Sequence, residues 1–332
     1  MMISPAGFIN EHKDDSYREL IELRDELIKN IRAFEEKKIS DNAWNIKPSP
    51  DVIYQCNLEY LAKVCELISE KYRNQINEDA EEHWIFDIRE YLLSKGLTYG
   101  TSLPEQIRSR RSGKRFSFED HVKALIYAML TNQRKWYYVE PHLSEIDELF
   151  FEYNPEKILE KSAEYYCEQL CKIKCGNRGI KSQMEALPDN LRTFRRIEKD
   201  FGSLDAFVSS EPANEIVKKL SDTSSKYKIK ELGPALAWEY LRNVGIDGAK
   251  PDVHLRRFFG NDRMGTCGHD IATEKEVINQ VVLISEKTGL LQAEVDNLIW
   301  SFCADGYGEI CTASPRCREC PISKNCKRKA VK

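Results

Sequence analysis

No stretch of this sequence is apolar for long enough to cross a membrane, because charges interrupt every hydrophobic segment short of the roughly 18 residues a spanning helix needs. The opening MMISPAGFINEHKDD lacks both the basic start and the apolar core of an export signal, so we expect a cytoplasmic protein, nucleoid-associated if the source is prokaryotic. Sustained alternation of apolar and polar residues is missing as well, which argues against a sheet and sets the expected class as all-α. There is no low-complexity tract and no internal repeat of roughly 20 to 50 residues, which excludes solenoids and propellers.

An excess of basic charge is also absent. With 50 Lys+Arg against 54 Asp+Glu the formal net charge is −4, which rules out a uniformly basic chain but not a local basic face. The charge is unevenly spread: residues 1–106 hold 13 Lys+Arg and 21 Asp+Glu, leaving 37 and 33 of the totals of 50 and 54 to the remainder. At 332 residues the chain can bury a core without disulfides, so its 11 cysteines point to reduced thiols and metal ligation.

What is present is helical periodicity. Leu20, Leu23, Leu27, Ile28 and Ile31 share one helical face, and Leu58, Leu61, Val64, Cys65 and Ile68 another. Residues 96–117, with Gly96, Gly100, Pro104 and the basic run Arg108, Arg110, Arg111, Lys114 and Arg115, read as an exposed loop that either touches phosphates or merely stays solvated. Ser117, followed three residues later by Asp120, predicts the N-cap of a helix that buries Phe118, Val122, Leu125, Ile126, Met129 and Leu130 and ends near Thr131, Asn132 and Gln133. Further helices are expected over 144–174, 191–200 and 213–220.

Three local patterns bear on chemistry. Cys311, Cys317, Cys320 and Cys326 place soft ligands close enough to wrap one tetrahedral zinc or one cubane cluster. The run Ile229-Lys230-Glu231-Leu232-Gly233-Pro234 turns tightly into a helix expected to reach Asn243 and stop at Gly245. Such a turn aims unpaired backbone N–H groups outward and suits a DNA phosphate, although an ordinary helix connection has the same pattern. In Lys250-Pro251-Asp252-Val253-His254 the aspartate stands where a helix N-cap is expected, and also where a catalytic carboxylate could stand.

Turn, aspartate loop and cysteine tail, in that order, resemble the endonuclease III family of helix-hairpin-helix DNA glycosylases over roughly residues 117–328. The resemblance implies an all-α glycosylase fold of two helical subdomains with the active-site cleft between them. Residues 1–106 would be a helical accessory region, 107–310 the glycosylase core and 311–332 the cluster loop. It further implies that Asp252 is the catalytic aspartate and that Leu232 and Gly233 contact DNA phosphates, as do basic residues near the cluster, among them Arg316, Arg318, Lys324, Lys327 and Arg328. Cys311, Cys317, Cys320 and Cys326 would hold a [4Fe–4S] cluster. Gln133, or else Asn132, would fill the gap left by an extruded nucleotide in double-stranded DNA, the expected partner of a monomeric enzyme without membrane attachment.

Two departures matter. Glu231 replaces the first hairpin glycine, and Ala235 stands where the family's lyase members carry a Schiff-base lysine. The expected enzyme is therefore monofunctional and uses water, with Lys250 as an alternative amine from another backbone position. The first cysteine spacing is one residue shorter than usual in the family. A catalytically silent DNA-binding or damage-sensing protein, and a zinc-stabilised interaction protein, are the competing classes. Trp136, Tyr137, Tyr138 and Trp238 are candidates to stack on a flipped base or to sit in the core.

Overall fold

The computed structural model describes residues 5–78, 83–97 and 103–328. Among them every regular element is a helix, so the all-α class holds, and no helix is long and apolar enough to cross a membrane. Two compact units are present: residues 1–83 with 288–290, and 84–287 with 291–332.

In the first unit the helix Tyr17–Glu35 opens with a capping box, in which Ser16 Oγ accepts the Glu19 N–H at 3.2 Å and Glu19 Oε2 accepts the Ser16 N–H at 2.7 Å. Its buried face carries Leu20, Leu27 and Ile31, as the periodicity predicts. The helix Pro50–Glu78 is rotated from the expected face. Tyr60, Val64 and Leu67 are buried, whereas Leu58 and Cys65 are exposed. The reason is Tyr60, whose ring stacks on Phe8 from the helix Pro5–His12 with centroids 4.2 Å apart.

The second unit begins at Trp84, upstream of the compositional boundary at 106, because the helix Trp84–Ser94 packs on the helix Gln292–Cys303. The expected basic loop is a helix over most of its described length, Leu103–Arg111, which buries Leu103, Pro104 and Ile107. Its arginines are ion-paired: Arg108 with Glu294, Arg110 with Asp205, and Arg111, which stays exposed, with Asp247 at 3.2 Å.

The helix Phe118–Leu130 starts at Ser117 with the expected capping box and buries Val122, Leu125, Ile126, Met129 and Leu130. The long helical stretch expected at 144–174 is instead three short helices, Leu143–Leu149, Pro155–Leu159 and Ala163–Lys172. Asn154 and Ser162 restart the chain by N-capping, and Phe151, Glu152 and Tyr153 take positive φ between the first two helices. Ile180–Phe201, Ala213–Ser221 and Pro234–Asn243 complete one apolar core with the 118–130 helix.

Candidate functional site

The hairpin turn is built from a buried amide. Asn190, on the helix Ile180–Phe201 and fully buried, accepts the Lys230 N–H at 2.7 Å and donates Nδ2 to the Lys230 carbonyl at 3.1 Å. This clamp sets the chain up to turn at Glu231, whose φ of 60° lies in the left-handed region that glycine occupies at least cost. Leu232 is buried, and its N–H faces the Ile229 carbonyl at 3.4 Å, so of the two residues expected to contact phosphate it is the one drawn inward. Gly233 is exposed and caps Pro234–Asn243 without a side chain, and a Cβ there would meet nothing within 4 Å. Ala235 and Leu236, in the first turn, have no intrahelical acceptor for their amides.

The chain leaves that helix through Gly245, at φ 76°, and reaches Asp252. Asp252 is the N-cap of the helix Val253–Phe259, with Oδ1 accepting the His254 N–H at 2.8 Å and the Leu255 N–H at 3.3 Å. Its Oδ2 has no hydrogen bond among the described residues.

Lys250 anchors this loop at two points. Its N–H donates to Asp296 Oδ2 at 2.5 Å, and its ammonium donates to Thr131 Oγ1 at 3.0 Å while lying 3.6 Å from Glu239 Oε2. Asp296 in turn pairs with the buried Arg242 at 3.0 Å, and Arg242 donates to Asn297 Oδ1 at 2.8 Å. Burial pushes the Asp296 carboxyl up to about 6 despite the opposing pull of Arg242. Burial also acts to raise the Glu239 carboxyl, but Lys250 and Arg242 outweigh it and hold the group below its ordinary range. The Lys250 amine is thus an ion-paired bracket between the Asp252 loop and the end of the 118–130 helix.

That helix end carries Asn132, half-buried, and Gln133, exposed with φ 50°. The Met129 carbonyl is held by Asn177 Nδ2 at 3.0 Å and by the buried Gln183 Nε2 at 3.2 Å, which fixes where the turn emerges. Through Lys250 and Thr131, two segments 119 residues apart in sequence meet.

Sequence reasoning missed the aromatic chain beside Asp252. His254 lies 6.1 Å from Trp300 by ring centroids, Trp300 lies 4.9 Å from Tyr307, and the Tyr307 hydroxyl donates to Glu140 at 3.0 Å. Burial lowers the His254 imidazole, opposed by Asp252. Only the His254 position, two residues after Asp252, offered a signal. Of the aromatics proposed for stacking, Trp238 is core, filling the space where any Gly248 side chain would collide with its ring. Trp136 packs edge-on against Tyr127, and Tyr137 packs on Gly306; Tyr138 is exposed.

Cys311, Cys317, Cys320 and Cys326 line one cavity walled by Phe258, Met264, Phe302, Ile310, Pro315 and Ile322. Among the described residues no three Cys, His, Asp or Glu side chains stand close enough to hold a single metal ion. A hydrogen bond from the buried Cys303 brings the Cys311 thiol down to about 7 against the effect of burial, with help from Arg263, while burial pushes Cys320 up to about 12. Arg316 is committed to the carbonyls of Gly308 and Glu309, both at 2.9 Å, whereas Arg318 is exposed with no ion-pair partner among the described residues. No family model matches the chain, and no curated protein or solved structure matches it.

Proposed function

We propose that this protein is a monofunctional DNA N-glycosylase with a helix-hairpin-helix fold, which removes a damaged, mismatched or modified base with the help of Asp252. The observation that carries the reading is the hydrogen bond from Lys250 to Thr131: it joins the loop of the candidate carboxylate to the turn of the candidate wedge residues, Asn132 and Gln133. A base within duplex DNA is out of reach of such chemistry, so the nucleotide rotates out while Gln133, presented by its left-handed turn, occupies the vacated stack. Breaking the N-glycosidic bond builds positive charge on the sugar. Asp252 meets that charge with an oxygen free of hydrogen bonds, while its other oxygen is held by the helix it caps. The same carboxylate orients or deprotonates the attacking water. Gly233 and the amides behind it offer donors to a backbone phosphate over which no side chain stands.

Four thiols around one apolar cavity fit a [4Fe–4S] cluster, which Cys311, Cys317, Cys320 and Cys326 would hold. When bound it would cross-link a tail that, among its described residues, has no helix of its own.

The Ala235 and Glu231 departures support a second reading, a DNA-binding protein that has lost excision. One experiment separates the two. Duplex oligonucleotides bearing a panel of modified and mismatched bases are incubated with the protein and with Asp252→Asn. The enzyme reading expects base release that leaves an alkali-labile abasic site, reduced on the order of 10²-fold or more in the variant. Binding without release from any oligonucleotide supports the silent reading. A borohydride-trapped adduct abolished by Lys250→Ala would assign a lyase mechanism instead.

A further inference from the structure

We propose that Arg263 fastens both ends of the cysteine loop and supplies the positive charge that balances its thiolate centre. This rests on the reading of Cys311, Cys317, Cys320 and Cys326 as a metal-binding set. Arg263 lies outside the loop, in the turn after the Val253–Phe259 helix, and is only 5% exposed. Its guanidinium reaches the entry of the loop, with Nη1 3.7 Å from Cys311 Sγ and Nη2 donating to the carbonyls of Thr312 at 3.3 Å and Ala313 at 3.4 Å. Its own carbonyl holds the exit, accepting the N–H groups of Lys327 at 2.8 Å and Arg328 at 3.3 Å, directly after Cys326. Two neighbours reinforce the exit: Asp262 pairs with Arg328 at 3.2 Å, and Gly265 has no side chain where Lys327 lies across it.

Burying a guanidinium is costly unless an anion is at hand. The nearest carboxylate, on Asp262, lies 3.8 Å from Nε and is half exposed, so it compensates weakly. Carbonyl oxygens satisfy donors but carry no net charge. The remaining counter-charge is the sulfur of Cys311, and a centre held by four thiolates is net negative whether it contains iron–sulfur or zinc. Arg263 is therefore a positioning residue with an electrostatic task, and the two tasks are separable. Lysine keeps the charge but cannot fork across Sγ and two carbonyls.

The test uses the full chain, purified without oxygen, with Arg263→Lys and Arg263→Gln. Arg263→Gln is expected to release iron to a chelator about tenfold faster, the scale on which metal sites respond to loss of a supporting hydrogen bond. It should also raise amide hydrogen exchange across residues 311–328 while leaving the Gln292–Cys303 helix unchanged, and lower the midpoint potential of the cluster. Arg263→Lys is expected to restore the potential but not the exchange protection. Native chelation rates and native tail exchange in Arg263→Gln would overturn the proposal. If the purified chain carries zinc in place of iron and sulfide, the cluster reading fails, and zinc release with tail exchange still decides the role of Arg263.

Discussion

At the scale of single residues, Asp252 and Glu231 show how one backbone requirement can be separated from chemistry. Asp252 caps a helix, and asparagine caps as well as aspartate, so Asp252→Asn should unfold at the native denaturant midpoint while losing the excision that the glycosylase proposal assigns to it. Asp252→Ala should lose both excision and about 1 kcal/mol of stability, read by urea unfolding. If the Asn variant is as unstable as the Ala variant, the loss of activity reports misfolding rather than a missing carboxylate. Glu231 presents the converse case. At φ 60° a side chain costs about 1–2 kcal/mol relative to its preferred conformations, and glycine gives back about 0.5–1 kcal/mol through the freer unfolded chain. Glu231→Gly should therefore stabilise the protein by about 0.5–1 kcal/mol, the hydrogen bond from Ser182 being exposed and weak. A lower midpoint than native would show that the turn depends on the Glu231 side chain.

At the scale of elements, the docking of the Leu103–Arg111 helix depends on a buried polar cluster. Arg110 donates to the Val244 carbonyl at 2.7 Å and pairs with Asp205. Asp205 lies 3.9 Å from Nε2 of the fully buried His121, whose Nδ1 is 2.6 Å from the Tyr240 hydroxyl. Burial lowers the His121 imidazole below its ordinary range, and Asp205 only partly offsets this. The unfolded chain, with an ordinary imidazole at about 6.5, thus takes up the proton first. Stability from His121 is complete above that pH and falls as pH drops below it, since protons favour the unfolded state. His121→Gln has no such group. The difference in unfolding free energy between native protein and variant should shrink steadily from pH 7.5 to pH 5, measured by denaturant unfolding at each pH. A constant difference would mean that His121 is equally accessible to protons in both states.

At the scale of the whole molecule, charge is partitioned. The acidic surplus lies within residues 1–106, while the rest of the chain has 37 Lys+Arg against 33 Asp+Glu of the totals of 50 and 54. Part of that basic charge is already neutralised: Arg108, Arg110 and Arg111 pair with acids of the second unit, and Arg316 with Glu309 and Glu319. The DNA-binding reading then rests on the cations that remain and on the amides at Gly233. It predicts an affinity for undamaged duplex that falls with salt, by a logarithmic slope of about −0.9 per phosphate neutralised. Gly233→Asp should weaken binding to all sequences alike. Fluorescence titrations at several salt concentrations measure both, and a salt-independent affinity would rule out the phosphate clamp.

Features set within a few residues of chain are legible in the sequence alone. The capping box at Ser117, the buried stripe through Met129, the stop at Gly245 and the N-cap at Asp252 follow from backbone groups that seek nearby partners, and from apolar spacing that repeats with each turn. What packing decides is not legible there. The arginines of the segment that reads as an exposed loop, phosphate-touching or merely solvated, meet acids 95 to 186 positions away, the Lys250 amine finds Thr131 across 119, and Arg263 reaches Cys311 across 48. Long side chains carry no local mark of the partner they will meet, because burial makes an unpaired charge costly only once the helices have closed around it. Periodicity thus determined that the chain is helical, and local motifs with the family resemblance marked where its candidate chemistry lies, while tertiary packing decided which of those side chains are hydrogen-bonded or ion-paired into the fold.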